Sequence, residues 1–66
     1  MITTVRINKR TNHIERNQHK DTTVEEQADL ANDAGFEAVW IEQGLTVMSD
    51  AVNVVVIFEN QEYTDK

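Results

Sequence analysis

The residues that could bind a metal ion or act as a nucleophile are few in this sequence. His13 and His19 lie six residues apart in a polar segment, so on a strand both would face the same side as a candidate metal pair. Two histidines without further ligands make a weak site, and the chain has no cysteine to complete it. Ser49 is the only serine, and nothing around it resembles the strained turn of a catalytic serine. We therefore expect no metal site and no covalent catalysis.

Carboxylates are abundant, but general acid–base catalysis requires that they line a pocket. A domain of 66 residues with one helix offers little concavity for such a pocket. Neither Gly35 nor Gly44 belongs to a phosphate-binding loop. The sequence therefore predicts a protein that is not an enzyme and that binds no cofactor.

The charges are divided unevenly along the chain, whose net charge is −6. Residues 1–20 hold five basic residues and one acid, whereas residues 21–66 hold eleven acids and one base. Four of the basic residues form a candidate patch for phosphate contacts: Arg6, Lys9, Arg10 and Arg16. Because the acidic remainder repels nucleic acid, we favour pairing of these bases with the acidic helix or with a neighbouring chain over direct nucleic-acid binding.

One helix must position the acidic residues, and the stretch Thr22–Gly35 predicts it. Thr22 and Thr23 are both candidate N-caps, and each is followed three residues later by a glutamate, which is the capping-box spacing. Gly35 suits the position just after a helix. An apolar stripe would pack on a sheet, and it consists of Val24, Ala28, Ala31 and Ala34, with Leu30 beside it. The opposite face presents Glu25, Asp29 and Asp33.

Segments on both sides of the helix are predicted to be strands, because they alternate or are rich in β-branched residues. These segments are Met1–Asn8, His13–Gln18, Phe36–Glu42, Leu45–Met48 and Val52–Glu59. The predicted fold is a single α+β domain with one helix packed on one face of an antiparallel or mixed sheet of three to five strands, in a ββαββ-like order. Its parts are a basic β-hairpin (1–20), the helix (22–35), strands (36–59) and a polar tail (60–66).

Strict alternation along the strand after the helix places Phe36, Ala38 and Trp40 on one face. Trp40 is then expected to pack in the core on the helix alanines, with an anchor in a protein interface as the alternative. The strand over Val52–Glu59 is apolar on both faces, which favours a second covering layer such as another subunit.

Targeting signals are not apparent. No apolar run approaches the roughly 18–20 residues that a membrane span needs. Residues 1–20 contain no hydrophobic region of a signal peptide. We therefore expect a cytoplasmic protein without membrane contact.

The order of a basic hairpin, the stretch TTVEEQADLANDAGFEAVWIE and a valine-rich strand resembles small acidic proteins that phages encode to inhibit bacterial machinery. These include the inhibitor of host RNA polymerase from T7-like phages and several anti-CRISPR proteins. The resemblance covers Val5–Phe58 in outline and rests on size, acidity and the capped helix, with no matched residue of an inhibitory site. It implies an inhibitor in the cytoplasm of a bacterial host that binds a nucleic-acid-handling protein, such as RNA polymerase or a CRISPR effector.

The leading hypothesis is therefore a non-catalytic, acidic protein-binding module that blocks a basic partner sterically or by mimicking nucleic acid. The charge pattern suggests the residues that would carry the contact: Glu25, Glu26, Asp29, Asp33 and Glu37. Two alternatives remain open. The first is a structural or assembly module, a homodimer joined through sheet edges or the second apolar sheet face. The second is a nucleic-acid-binding accessory protein that uses the basic hairpin.

Overall fold

A computed structural model describes residues 1–60 as one five-stranded antiparallel sheet with a single helix packed against it. The elements are β1 (Ile2–Asn8), β2 (Ile14–His19), α1 (Val24–Asp33), β3 (Glu37–Glu42), β4 (Leu45–Ser49) and β5 (Asn53–Glu59). The predicted α+β fold is confirmed. Of the predicted polar tail 60–66, all but residue 60 lies outside the described residues.

The helix begins at the predicted capping box. Thr23 is the N-cap: its Oγ1 accepts a hydrogen bond from the Glu26 backbone N–H at 3.1 Å, and Glu26 Oε1 accepts from the Thr23 N–H at 3.2 Å. After the helix, Gly35 has a φ of +99°, a conformation that glycine adopts without steric cost. The Phe36 N–H then bonds back to the Ala31 carbonyl oxygen at 3.0 Å, which closes the C-terminal turn.

The strand order across the sheet is β2-β1-β5-β4-β3. The strand that comes last in sequence, β5, therefore lies at the centre, between β1 and β4. β2 and β3 are the two edge strands, and α1 connects one edge to the other by crossing the sheet. Along this path α1 contacts β3, β4 and β5.

The sheet face beneath the helix, here called the helix face, carries the hydrophobic core. Burial alternates along β4 and β5, because every second side chain points to this face. Ile57 is completely buried, and Phe36 packs into the same cluster from the segment after the helix. The other members of the core are Ile2, Val24, Met48 and Val55, with Ala28 and Ala31 against them.

The other side of the sheet, here called the open face, is also apolar, although no described element lies over it. The register places five residues across the sheet in each of three rows. The first row is Ile14, Ile7, Val54, Ser49 and Glu37. The second is Arg16, Val5, Val56, Val47 and Trp40. The third is Gln18, Thr3, Phe58, Leu45 and Glu42. The apolar side chains of these rows are half-buried or exposed.

Thr3 is the exception on the open face, because it has no exposed surface. Its Oγ1 has no hydrogen-bond partner among the described residues. A buried hydroxyl without a partner lowers the stability of the fold.

The expected position of Trp40 in the core is wrong. A register shift between Ala38 and Trp40 inserts Val39 as a bulge, so Ala38 faces the helix while Trp40 faces away from it. Trp40 pairs with Val47 on the open face and is 58% exposed. Its Nε1–H donates a hydrogen bond to Glu42 Oε1 at 3.0 Å.

Candidate functional site

A groove lies between α1 and the edge strand β3, which is the outermost of the three strands that the helix contacts. We call it the edge groove, and its volume is about 470 Å³. Its sheet side includes Ala38, Ile41, Thr46 and Met48, and its helix side includes Val24, Glu25, Ala28, Asp29 and Asn32.

The floor of the edge groove is apolar and its helix wall is acidic. Met48 is buried in the floor, whereas Ile41 on the edge strand is 74% exposed. Glu25 and Asp29 lie one helical turn apart on the wall, and both are exposed. This combination suits the side chain of a lysine or arginine, whose aliphatic stem can lie on apolar surface while its charged end meets a carboxylate.

The other predicted acidic contact residues lie elsewhere. The Glu26 carboxylate is engaged by the helix cap, where it accepts from the Thr23 N–H and the Thr22 hydroxyl. Asp33 is exposed in the last turn and does not line the edge groove. Glu37 lies on the open face, opposite Ser49 of β4. The structure thus brings together only Glu25 and Asp29 of the five.

The acidic helix has no basic side chain paired with it in the described part of the chain. Within residues 1–60 the one contact closer than 4.0 Å between a basic and an acidic side chain joins His13 Nε2 and Glu15 Oε2, at 3.8 Å. The first turn of α1 contains Glu25 and Glu26, and its last turn contains no basic residue. The expected pairing of the basic hairpin with the helix is therefore not observed among these residues.

The basic residues are distributed over both faces. Arg6 lies on the helix face, opposite Glu15 and Val55, whereas Arg16 lies on the open face, opposite Val5. Lys9 donates from Nζ to the Asp50 carbonyl oxygen at 2.7 Å, and Arg10 occupies the turn between β1 and β2. These four side chains do not share one surface.

A second, smaller groove lies on the other side of the helix. Its volume is about 220 Å³, and Leu30, 61% exposed, forms part of its helix wall. Thr4, Arg6, Asn17 and His19 lie on its sheet side, so its sheet floor is more polar than that of the edge groove.

The two histidines do not form a metal pair. His19 Nε2 lies 3.1 Å from Thr4 Oγ1, and His13 Nε2 lies 3.8 Å from Glu15 Oε2 at the start of the hairpin's second strand. Six residues along an extended chain span roughly 20 Å, so one ion cannot contact both rings. In the described part of the chain, no group of three or more His, Asp or Glu side chains could hold a metal ion.

Asp50 organises the turn between β4 and β5. Its Oδ1 accepts from the backbone N–H groups of Asn53 at 2.6 Å and Val52 at 2.8 Å. These two hydrogen bonds favour the ionised carboxylate and lower the pKa of Asp50 below its usual value of 3.8. The shift has a structural origin in the turn, so we assign Asp50 no binding role.

Sequence reasoning identified the acidic wall of the edge groove but missed its floor. Ala38, Ile41 and Met48 form this floor only because the bulge at Val39 moves Ile41 to the same face as Ala38. No residue type near Val39 predicts the bulge. The position of the groove also depends on where the helix crosses the sheet, which the sequence pattern does not show.

The chain was compared with known proteins. No protein family, no curated protein and no solved structure matches it. In addition, none of the described residues belongs to a helix long and apolar enough to cross a membrane.

Proposed function

We propose that this chain is a non-catalytic protein-binding module that holds a basic segment of another protein in the edge groove. The single observation behind the proposal is the combination of an apolar floor with two carboxylates on one wall, Glu25 and Asp29, which pair with no basic side chain within residues 1–60. An acidic wall attracts a basic partner over a distance of about a Debye length, and the apolar floor then stabilises the bound segment.

The free edge of the sheet adds a second means of binding beside the groove. Within residues 1–60, β3 pairs with β4 on one side only, so its outer backbone groups have no partner in that part of the chain and can pair with an added strand. Val39 and Ile41 are exposed on this edge. An extended partner segment with alternating basic and apolar residues would meet the backbone of β3 and the wall of α1 together.

The class of partner follows from this chemistry. Exposed basic segments are typical of proteins that bind nucleic acid, because they contact phosphates. The resemblance in outline to small acidic phage-encoded proteins extends this proposal to an inhibitor, which would occupy a basic nucleic-acid-binding surface of a bacterial protein such as RNA polymerase or a CRISPR effector. The basic hairpin is less suited to nucleic-acid binding, because Arg6 and Arg16 lie on opposite faces.

The experiment compares the wild-type chain with Glu25→Lys/Asp29→Lys by affinity capture from bacterial lysate, with captured proteins identified by mass spectrometry. The captured protein is then purified, and its dissociation constant is measured at several salt concentrations. We expect the double reversal to weaken binding at least tenfold and to flatten the salt dependence.

The matched control is Glu15→Lys/Asp33→Lys, which changes the net charge equally at exposed acids outside the edge groove. It should retain most of the affinity. Equal binding by wild type and Glu25→Lys/Asp29→Lys would contradict the proposal, as would equal losses in the two double variants, because the effect would then follow net charge alone.

A further inference from the structure

The open face is apolar over its central strands and charged at its two edges. The middle row runs from Arg16 on edge strand β2 to Trp40 on edge strand β3, with valines on the three strands between. Antiparallel sheets that face water normally carry polar side chains on that side. We therefore expect another layer of protein to cover the valines on this face.

The two charged edges have opposite signs. At the β2 edge Arg16 is exposed, and at the β3 edge Glu37 and Glu42 stand on either side of Trp40. Glu42 is held beside Trp40 by the hydrogen bond from the indole N–H. A second copy can pack on this face in two simple orientations, which bring different charges into contact.

In the first orientation the two-fold axis runs parallel to β5, which is the central strand. Each β2 then lies over β3 of the second copy. Arg16 meets Trp40 and Glu42 of the second copy, and Val56 meets its own counterpart at the axis. An arginine over an indole ring beside a carboxylate is a favourable contact.

In the second orientation the axis runs across the strands, so each strand lies over its own counterpart. Arg16 then meets Arg16, and Glu37 meets Glu42. Like charges at such positions oppose association. Charge complementarity therefore selects the first orientation.

The area of the face reaches the lower limit for a biological interface, which is about 1,000 Å² in total. Five strands about 4.8 Å apart and three rows of residues cover a footprint of roughly 500 Å² per copy, or on the order of 1,000 Å² for two. The strands of two sheets packed face to face lie within about 30° of each other. The arginine side chain is long enough to contact the facing edge strand across such an angle.

We propose that two copies of this chain associate through their open faces about an axis parallel to β5, with Arg16 of each copy bound to Trp40 and Glu42 of the other. This inference rests on the open face and does not use Glu25 and Asp29, which lie on the helix side of the sheet. Glu42, at the end of β3, borders both the open face and the edge groove.

The first measurement is sedimentation equilibrium of the full chain over a range of concentrations. We expect the mass to rise from 7.6 kDa to twice that value as concentration increases. Trp40 is the only tryptophan, so its fluorescence should shift to the blue over the same range. A chain that stays at 7.6 kDa at high micromolar concentration overturns the proposal.

Charge exchange between copies tests the orientation. Arg16→Glu and Glu42→Lys should each weaken self-association at least tenfold, because each places two like charges in contact. An equimolar mixture of the two variants should recover the dimer, because both contacts in the mixed pair then join opposite charges. Recovery in the mixture excludes misfolding as the cause of the single losses.

Controls separate this interface from other causes. Arg10→Glu and Glu15→Lys make the same charge changes in the β1–β2 turn and on the helix face, and they should associate as wild type does. Failure of the mixture to recover overturns the proposed orientation. A chain ending at Asn60 tests residues 61–66 as the covering layer: if only that shortened chain dimerises, the second copy is not the natural occupant.

Discussion

Val55 and Ile57 lie on one side of β5, and Val54, Val56 and Phe58 lie on the other. The two sets have similar composition, yet Val55 and Ile57 are buried under α1 while the other three are only half-buried. Side-chain type therefore does not distinguish the face that stabilises the monomer from the face that remains available. The difference arises from the single helix, which can cover only one face of the sheet.

The largest expected effect contrasts the two faces directly. Ile57→Ala should lower the free energy of unfolding by about 3 kcal/mol, because it leaves a cavity in the core. Val56→Ala should cost about 1 kcal/mol or less, because its side chain is already half in water. Urea unfolding at a concentration below that of self-association provides the comparison. If Ile57→Ala does not fold, Val55→Ala on the buried side should still cost more than Val56→Ala. Equal losses in these two variants would contradict the distinction between the faces.

The buried hydroxyl on the open face predicts an effect of opposite sign. Thr3→Val keeps the shape of the side chain and removes an Oγ1 that lacks a partner among residues 1–60. The free energy of unfolding should rise by about 1 kcal/mol. Thr46→Val, at a threonine of the helix face that is 5% exposed, is the matched comparison and should gain less, because this residue is less completely removed from water. A loss of stability in Thr3→Val would mean that the hydroxyl is satisfied.

The helix that covers one face depends on its cap. Thr23→Ala removes the acceptor for the Glu26 N–H and should lower the free energy of unfolding by about 1 kcal/mol. Thr22→Ala should cost less, because the bonds of the Thr22 hydroxyl within residues 1–60 go to the side chains of Glu26 and Gln27 and to no backbone N–H. Thermal unfolding followed by circular dichroism measures both. Equal effects would show that Thr22 shares the capping role.

The smallest effect concerns a turn that belongs to neither face. The pKa of Asp50 is lowered by hydrogen bonds from Asn53 and Val52, so the folded state favours its ionised form. This contribution to stability is present above the usual pKa of 3.8 and is lost as pH falls through the lower folded-state pKa. Wild type and Asp50→Asn should therefore differ most near neutral pH and converge in acid. A difference that is constant with pH would contradict this assignment.

Local patterns in the sequence were sufficient to predict the helix and the strands of the fold. The helix was predicted over Thr22–Gly35 and is observed over Val24–Asp33, with Thr23 as the N-cap. The short strand predicted at Leu45–Met48 is also observed, over Leu45–Ser49, because alternation of side chains reports directly on strand geometry.

The arrangement of surfaces was harder to predict. One inserted residue at Val39 reverses which face every following residue of the strand occupies, and it placed Trp40 on the opposite side of the sheet. The edge groove also depends on the path of α1 between distant strands, which no local pattern encodes. Glu25 and Asp29 could be identified as acidic helix residues, but their apolar neighbours across the groove could not.

The central position of β5 has a consequence for how the chain folds. The hairpin of β1 and β2 and the hairpin of β3 and β4 share no hydrogen-bonded neighbour until β5 lies between them. The sheet therefore cannot form progressively during synthesis, and its halves join only when residues 53–59 are available. Pairings between residues so distant in sequence, such as Ile2 with Glu59, slow folding because a long loop must close first. A chain interrupted before β5 would expose two separate hairpins with unpaired edges, a state prone to aggregation.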